Sequence, residues 1–249
     1  MTSWLRLFRA EVRKLTTTRM PWAFLGVLVV LAVLNGVAVV AGTDMDGSKK
    51  FISTAADQQS LMAFANNAMM GAALFGAIAA AREYAHATVV PTYLIEPRRH
   101  RALVAQLAAV MLGGAVLSTI GAGLIVAAVA LTLPTTDYGF LVSAGGVAQV
   151  VGASALAGAA GAALGVGLGT LVRNVGGAVT ATFLLLMVLP PLVIQLANDA
   201  ASWVPAALTG VISGVTSDIA TPAAVVALVG WGAVPVLVGL VALRRRDVV

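Results

Sequence analysis

Cysteine is absent from this 249-residue chain, and charged residues make up only 10% of it. The absence of cysteine excludes disulfide bonds, thiolate metal sites and a cysteine nucleophile. Soluble domains carry about 25% charged residues, and a chain with 60% hydrophobic residues cannot bury so much apolar surface inside one water-exposed globule. The composition therefore excludes a disordered chain, a coiled coil and an ordinary cytosolic enzyme, and it predicts a polytopic membrane protein.

Six runs of the sequence contain no charged residue, and each is long enough for one helix to cross a membrane. A helix needs about 20 residues to cross roughly 30 Å of hydrocarbon. Ala, Leu, Val and Gly dominate these runs, which favours helices over the short alternating strands of a β-barrel. The sequence predicts an all-α fold that forms a single transmembrane domain over residues 1–249. The predicted spans lie at about 21–42, 60–81, 102–133, 145–172, 175–196 and 222–243.

The last third of the chain departs in two places from simple spans. Pro190 and Pro191 interrupt the fifth charge-free run, so we expect that helix to be kinked and to continue to about Leu196. Residues 197–221 are apolar but are punctuated by glycines, by Pro205 and by acidic residues. We expect re-entrant or interfacial helices on the extracellular side there, rather than a seventh span.

The positions of the basic residues predict how the spans are oriented. Every Lys and Arg except Lys49 and Lys50 lies in the N-terminus, in the loop after the second span, in the loop after the fourth span or in the C-terminus. An even number of spans places these four segments on one side, which the positive-inside rule identifies as cytoplasmic. We therefore expect both termini in the cytoplasm. The net charge of +5 then gives no support for nucleic-acid binding.

Residues 1–19 predict an amphipathic helix that lies in the membrane interface. At 100° per residue, an apolar arc that begins with Trp4 lies opposite a row of arginines that includes Arg9. Glu11 lies at the edge of this arc, three residues before Lys14, and the two side chains can pair. Two interpretations remain open: a membrane-surface anchor, and an anchor that also forms part of a docking surface for a cytoplasmic partner.

The loop over residues 82–101 is long for a connection between neighbouring helices, and it holds both histidines of the chain. His86 and His100 are far apart and separated by prolines, unlike a metal-ligand spacing such as H-E-x-x-H, so we expect no metal site. Two other interpretations remain. The loop is either a plain positively charged connection or a docking element whose apolar middle, residues 88–94, packs into a groove of a partner.

Three short motifs lie near the ends of the predicted spans. They are Glu11-x-x-Lys14 with Arg19, then Arg82-Glu83-Tyr84-x-His86-x-Thr88 followed by Pro97-Arg98-Arg99, and finally Arg244-Arg245-Arg246-Asp247. Together these motifs resemble the permease subunits of type-2 ATP-binding-cassette exporters, especially those of actinobacterial drug and antibiotic export. The resemblance also extends to the architecture of the whole chain, with six spans, an amphipathic first helix and membrane-dipping helices between the fifth and sixth spans.

The resemblance implies that two permeases, identical or paralogous, pair in the membrane and that two cytoplasmic ATPase subunits bind beneath them. The N-terminal helix and the 82–101 loop would contact the ATPase, with the loop acting as the coupling helix. ATP and Mg²⁺ would belong to the ATPase, and the permease would hold no cofactor. The residues to which the resemblance gives the coupling role are Glu11, Lys14, Arg82, Glu83, His86, Thr88, Pro97 and Arg98.

The sequence offers no catalytic machinery of its own. The nearest approach to the phosphate-binding motif G-x-x-x-x-G-K-[ST] is residues 42–49, where Ser48 stands at the position that requires lysine. This segment also falls on the predicted outer side of the membrane. An intramembrane enzyme would need an acid, a base or a metal near a nucleophile such as Ser118 or Ser154, and the spans offer none. We therefore expect that the chain is not an enzyme.

The charge-free runs also contain no histidine. Ion-coupled transporters keep ionisable groups inside the membrane, so a neutral interior favours energy input from a separate ATPase. An apolar path suits a hydrophobic or amphipathic compound, such as a drug, an antibiotic or a lipid-like molecule, that is exported across a bacterial cell membrane. The alternative is an anchor or assembly protein that docks a cytoplasmic partner and transports nothing.

Gly161, Gly165 and Gly169 form a stripe of small residues along one face of the fourth predicted span. The stripe indicates close helix packing within one subunit, and a dimer contact or a smooth face along which helices slide is the alternative.

Overall fold

The structure is a computed structural model that describes residues 2–44, 47–85 and 99–245. Within these ranges the chain is helical and has no β-strand. The α-helices of the described residues are α1 (Thr2–Thr17), α2 (Met20–Ala41), α3 (Ala55–Ala65), α4 (Ala68–Ala85), α5 (Arg99–Thr132), α6 (Ala144–Val172), α7 (Val175–Phe183), α8 (Leu189–Leu196), α9 (Pro205–Ile212) and α10 (Thr221–Arg245).

Six helical stretches of the described chain are long and apolar enough to cross a membrane. The predicted all-α fold with six such helices is therefore confirmed, and the chain has the character of a multi-pass membrane protein. The stretches are Met20–Ala41, Ala55–Ala85, His100–Thr135, Ala144–Val172, Val175–Leu196 and Thr221–Leu243.

Helix α6 is the central helix, because its small residues let three other helices approach its backbone. A Cβ atom added at Gly165 would collide with the backbone carbonyl of Ala73 in α4, and one at Gly167 would collide with the backbone of Pro235 in α10. On a third side, a Cβ at Gly114 of α5 would lie 2.6 Å from a side chain of α6. Close packing within the subunit, predicted from the glycine stripe, is thereby confirmed.

The contacts along α6 define the directions of its neighbours. Gly161 faces Met69 and Gly165 faces Ala73, so α4 and α6 run parallel. The same comparison makes α10 parallel to α6, α5 antiparallel to it, and α2 parallel to α5. The pairs are Gly232 with Ala160 and Gly239 with Gly167 for α10, Gly114 with Ala162 and Ser118 with Gly158 for α5, and Leu28 with Gly121 and Gly36 with Thr132 for α2.

These directions alternate as they must in a chain that crosses a membrane repeatedly. They also bring the two described ends of the chain to the same end of the bundle. Met20 at the start of α2 and Leu243 near the end of α10 pack into one cluster, together with Leu103 near the start of α5 and Ala80 near the end of α4.

The second span begins earlier and ends later than the predicted range 60–81, and it is divided into α3 and α4. Thr54 and Asp57 form a capping box that starts α3 at Ala55. The division follows Asn66, because Asn67 has a φ of 40°, which asparagine tolerates better than most residues but which no α-helix can contain.

The predicted loop 82–101 is also too wide. Helix α4 continues to Ala85 and α5 begins at Arg99, so Arg82 and Glu83 occupy the last turn of α4. Charged residues end the apolar run but do not end the helix, since arginine and glutamate are good helix formers and water accepts their side chains. The charge-free run therefore underestimates the length of the helix.

The fifth span is irregular at the position of its two prolines. Helix α7 passes into a π-helical turn over Leu184–Val188, and α8 then begins with Leu189 and contains Pro190 and Pro191. Proline lacks an N–H group and crowds the preceding turn, so the ordinary α-helical bonding pattern cannot continue through this pair. The segment that follows holds a 3₁₀ helix at Asn198–Trp203, and then α9.

Glutamine side chains join the loops at the other end of the bundle. Gln58 is fully buried. Its amide nitrogen, Nε2, donates to the carbonyls of Ile52 and Gly139, and its Oε1 accepts from the backbone N–H of Leu141. One side chain thus satisfies polar backbone groups from two separate loops, which a buried loop requires.

The packing of α6 predicts different outcomes for two glycine-to-alanine substitutions in the same helix. Gly165→Ala should lower stability by about 1–3 kcal/mol, since its new methyl group meets the backbone of α4. Gly152→Ala should be neutral or stabilising by up to about 1 kcal/mol, because no atom lies within 4 Å of its Cβ position and alanine favours the helix. Unfolding in mixed micelles, followed by circular dichroism, measures both, and equal effects would contradict the packing described above.

Candidate functional site

The described residues of the predicted coupling site meet where α1 lies against the end of α4. Lys14 donates hydrogen bonds to Glu11 of its own helix and to Glu83 of α4, with Nζ–Oε1 distances of 2.6 Å and 2.9 Å. One ammonium group therefore joins two carboxylates, and the N-terminal helix is tied to the second span. We call this group of three residues the Lys14 bridge.

The side of α1 that faces the bundle contains Glu11 and only part of the apolar arc. Glu11 is buried, and Leu15, one turn further along, packs against a cluster that includes Phe75 and Val110. Trp4 and Leu5 of the apolar arc remain exposed. The helix thus turns its acidic edge toward the bundle, because that rotation lets Lys14 reach a carboxylate on α4.

The residues of the bridge are partly buried, and this burial changes the pKa values of Glu11 and Lys14. The side chain of Glu11 is 9% exposed and that of Glu83 is 16% exposed, whereas Lys14 is 41% exposed. Burial raises the pKa of Glu11 above its ordinary value and the charge of Glu83 raises it further, although the hydrogen bond from Lys14 acts in the opposite direction.

Lys14 responds differently to the same surroundings. Burial on its own lowers the pKa of Lys14, but the hydrogen bond to Glu11 and the charges of Glu83 and Glu11 outweigh it and leave the pKa raised. Lys14 is therefore firmly held as a cation. Glu11 is affected in the opposite sense, because its surroundings disfavour its ionised form.

A cavity of about 270 Å³ lies beside the Lys14 bridge, between α1, α4 and α5. Arg82 lines it together with Gln106 of α5, and the Arg82 Nη1 atom lies 4.0 Å from the Sδ atom of Met20. The end of α4 therefore presents a cation and an acid side by side, Arg82 and Glu83, at the base of the N-terminal helix.

Four of the eight residues proposed for coupling are brought together here. Glu11 and Lys14 come from α1, and Arg82 and Glu83 come from the last turn of α4. The structure thus joins two motifs that are far apart in the sequence. The other four, His86, Thr88, Pro97 and Arg98, lie outside the described residues, and their coupling role stays a prediction.

Sequence reasoning missed a second contact at this end of the bundle. The guanidinium of Arg173, which follows α6, lies 5.2 Å from the centre of the Tyr84 ring at the end of α4, a distance typical of a cation–π contact. The charge pattern assigned Arg173 only an orienting role. Tyr84 lies in the last turn of α4 and Arg173 directly follows α6, so their proximity depends on a packing register that no local pattern contains.

The described residues contain no cluster of three or more His, Asp or Glu side chains that could hold a metal ion. No protein-family model matches this chain, and no curated protein matches it either. Its function therefore has to be argued from its own residues.

The raised pKa of Glu11 predicts how removal of its charge changes stability. Since Glu11 holds its proton more tightly in the folded state than its ordinary pKa of 4.5 implies, ionisation above that pH costs stability. Glu11→Gln should therefore match the wild-type midpoint of thermal unfolding below pH 4.5 and exceed it by a few degrees at neutral pH.

The matched comparison for this prediction is Lys14→Gln, which leaves two carboxylates without their shared cation and should lower the midpoint at neutral pH. Both midpoints can be followed by tryptophan fluorescence in detergent, since Trp4 lies on α1. A lower midpoint for Glu11→Gln than for the wild type at neutral pH would show that the hydrogen bond to Lys14 outweighs the cost of burial.

Proposed function

We propose that this chain is the permease subunit of an ATP-binding-cassette exporter in a bacterial cell membrane. It pairs with a second permease copy or a paralogue, and a separate cytoplasmic ATPase drives it. The Lys14 bridge is the observation that supports this proposal most directly. An amphipathic first helix that is ion-paired to the last turn of α4 offers a cytoplasmic partner two joined elements to contact.

The bridge suggests how a movement of the partner reaches the membrane. A force on α1 passes through Lys14 to Glu83 at the end of α4. Helix α4 is in backbone contact with α6 along its glycine face, so α4 and α6 move together as one body. Closure of the ATPase subunits would then tilt these spans and open a path between the two permeases on the outer side.

The chemistry of the spans supports a partner motor and an apolar cargo. The charge-free runs contain no acid, base or histidine that could carry a coupling ion. The path suits a hydrophobic or amphipathic compound such as a drug, an antibiotic or a lipid-like molecule. In this proposal ATP and Mg²⁺ are bound by the ATPase, and this chain contributes positioning and force transmission.

The proposed orientation places the Lys14 bridge in the cytoplasm with both termini. The end of the bundle that holds Met20 and Leu243 also holds the basic segments, and the positive-inside rule assigns that end to the cytoplasm. Lys49 lies at the opposite end, where its Nζ donates to the carbonyl oxygens of Val39 and Val40 at the end of α2.

Orientation can be tested with single cysteines, because the chain has none of its own. In intact cells a membrane-impermeant maleimide should label Asp137→Cys, in an exposed loop, and should label Thr16→Cys, on α1, only after the membrane is permeabilised. Labelling of both positions from outside would overturn the proposed topology.

The coupling role can be tested with an ATPase encoded beside this chain. The two proteins should co-purify, and substrate-stimulated ATP hydrolysis should fall about tenfold in Lys14→Gln and in Glu83→Gln, since each removes one link of the bridge. Arg9→Gln is the matched control, because it removes a charge from the exposed side of the same helix.

Two results would count against the proposal in different ways. A complex that forms but supports no ATP-dependent transport in proteoliposomes favours the anchor or assembly protein. Equal ATPase stimulation in Lys14→Gln, Glu83→Gln and wild type would remove the bridge from the coupling mechanism.

A further inference from the structure

A second cavity, of about 610 Å³, lies beside the start of α4, whereas the Lys14 bridge lies beside the end of that helix. It is bounded by α3 and α4 where the second span is divided, by the π turn and α8 of the fifth span, and by α9. Cavities that hold small molecules commonly measure about 300–1,000 Å³. The volume is therefore sufficient for a drug-sized ligand.

The cavity lies where two interrupted spans face one another. Asn67, with its φ of 40°, divides the second span, and Pro190 and Pro191 interrupt the fifth. Because prolines have no N–H group, the carbonyls of Leu186 and Met187 lack the usual partner four residues on. All five residues line the cavity. Interruptions of this kind are tolerated at membrane depth where they border a cavity.

Two side-chain amides give the cavity its polar character. Asn67 and Gln195 line it, both residues are exposed, and no side-chain hydrogen bond among the described residues engages either amide. The hydroxyl of Thr209 donates to the Pro205 carbonyl at 2.8 Å and can still accept a bond. Both amides are therefore accessible to a bound molecule, and a hydrogen bond to either one adds affinity inside a largely apolar cavity.

The rest of the described lining is apolar and adaptable. Phe64, Met187 and Ile194 are 46%, 39% and 37% exposed, so the cavity opens onto the surface of the bundle. Methionine and aromatic side chains adjust to ligands of different shapes. No charged side chain occurs among the described lining residues, and an unpaired charge would be costly to place here.

We propose that this cavity binds an uncharged amphipathic small molecule. Its apolar body packs against Phe64 and Met187, and its hydrogen-bonding group pairs with Asn67 and Gln195. This inference deepens the proposed function, because it names the class of substrate. Only the conclusion that the ligand is transported rests on the proposed function. Binding itself is a property of this chain without the ATPase.

Protection of a single cysteine measures this binding directly. Ala206→Cys places a thiol in the cavity, and Ala38→Cys places one on the exposed surface of α2, outside it. The purified variants in phospholipid nanodiscs are treated with N-ethylmaleimide, with and without the neutral probe N-phenyl-1-naphthylamine. The probe should slow modification of Ala206→Cys about fivefold or more, as ligand occupancy excludes the reagent, and should not change the rate for Ala38→Cys.

Removal of the amides tests their role in recognition. In the Ala206→Cys background, Gln195→Leu should raise the probe concentration for half-protection about five- to tenfold, as expected for the loss of one hydrogen bond. Asn67→Gly should act similarly, and glycine keeps the positive φ of that position. Gln149→Leu is the control, because it removes an exposed amide that does not line the cavity.

Several results would overturn the proposal. Equal protection of both cysteines would show that the probe only partitions into lipid, and no protection of Ala206→Cys would show that the cavity does not bind it. Unchanged affinity in Gln195→Leu would contradict the role of the amide. Equal protection of Ala206→Cys by the cation tetraphenylphosphonium would contradict the preference for an uncharged ligand. Because the ATPase is absent from this experiment, protection without ATP-driven transport would retain the site and reject the exporter. Transport without protection would retain the exporter and reject the site.

Discussion

Backbone contact along α6 is the interaction on which the rest of the structure depends. Apolar side chains gain little when they leave lipid for a helix interface, so association within a membrane depends on close packing. Glycine supplies it here, because Gly165 and Gly167 allow the backbones of α4 and α10 to lie directly against α6. The three parallel helices consequently form a rigid centre, and the more exposed spans, α2 and the fifth, pack around it or face the membrane.

The Lys14 bridge attaches the N-terminal helix to that rigid centre, because Glu83 lies at the end of α4. An ion pair that is open to water contributes little, whereas this one joins a buried Glu11 to the end of a helix that cannot move independently of α6. A weakly attached end of α4 would absorb a push on α1 without passing it on. In the proposed function, the same bridge connects the cytoplasmic face mechanically to the membrane interior.

Helix interruptions distinguish the outer layer from the centre. The continuous α6 makes close contacts along its length, whereas the divided second span and the proline-interrupted fifth span leave a cavity between them. The interruptions leave polar backbone groups beside the cavity, where such groups are tolerated at membrane depth. In the two proposals made above, the close-packed side of the bundle transmits force and the interrupted side holds a ligand.

The sequence by itself determined the class of fold, because charge-free runs of sufficient length must form helices that satisfy their own hydrogen bonds in lipid. It also identified the glycine stripe of α6 and the Glu11–Lys14 pair, since both follow from helical spacing. The partner of Lys14 on α4, the contact of Arg173 with Tyr84 and the division at Asn67 came only from the tertiary structure. The first two depend on the register in which distant helices pack, which is set by shape complementarity across the whole bundle and which no local run of residues encodes. The third depends on the backbone conformation that Asn67 adopts in the folded chain.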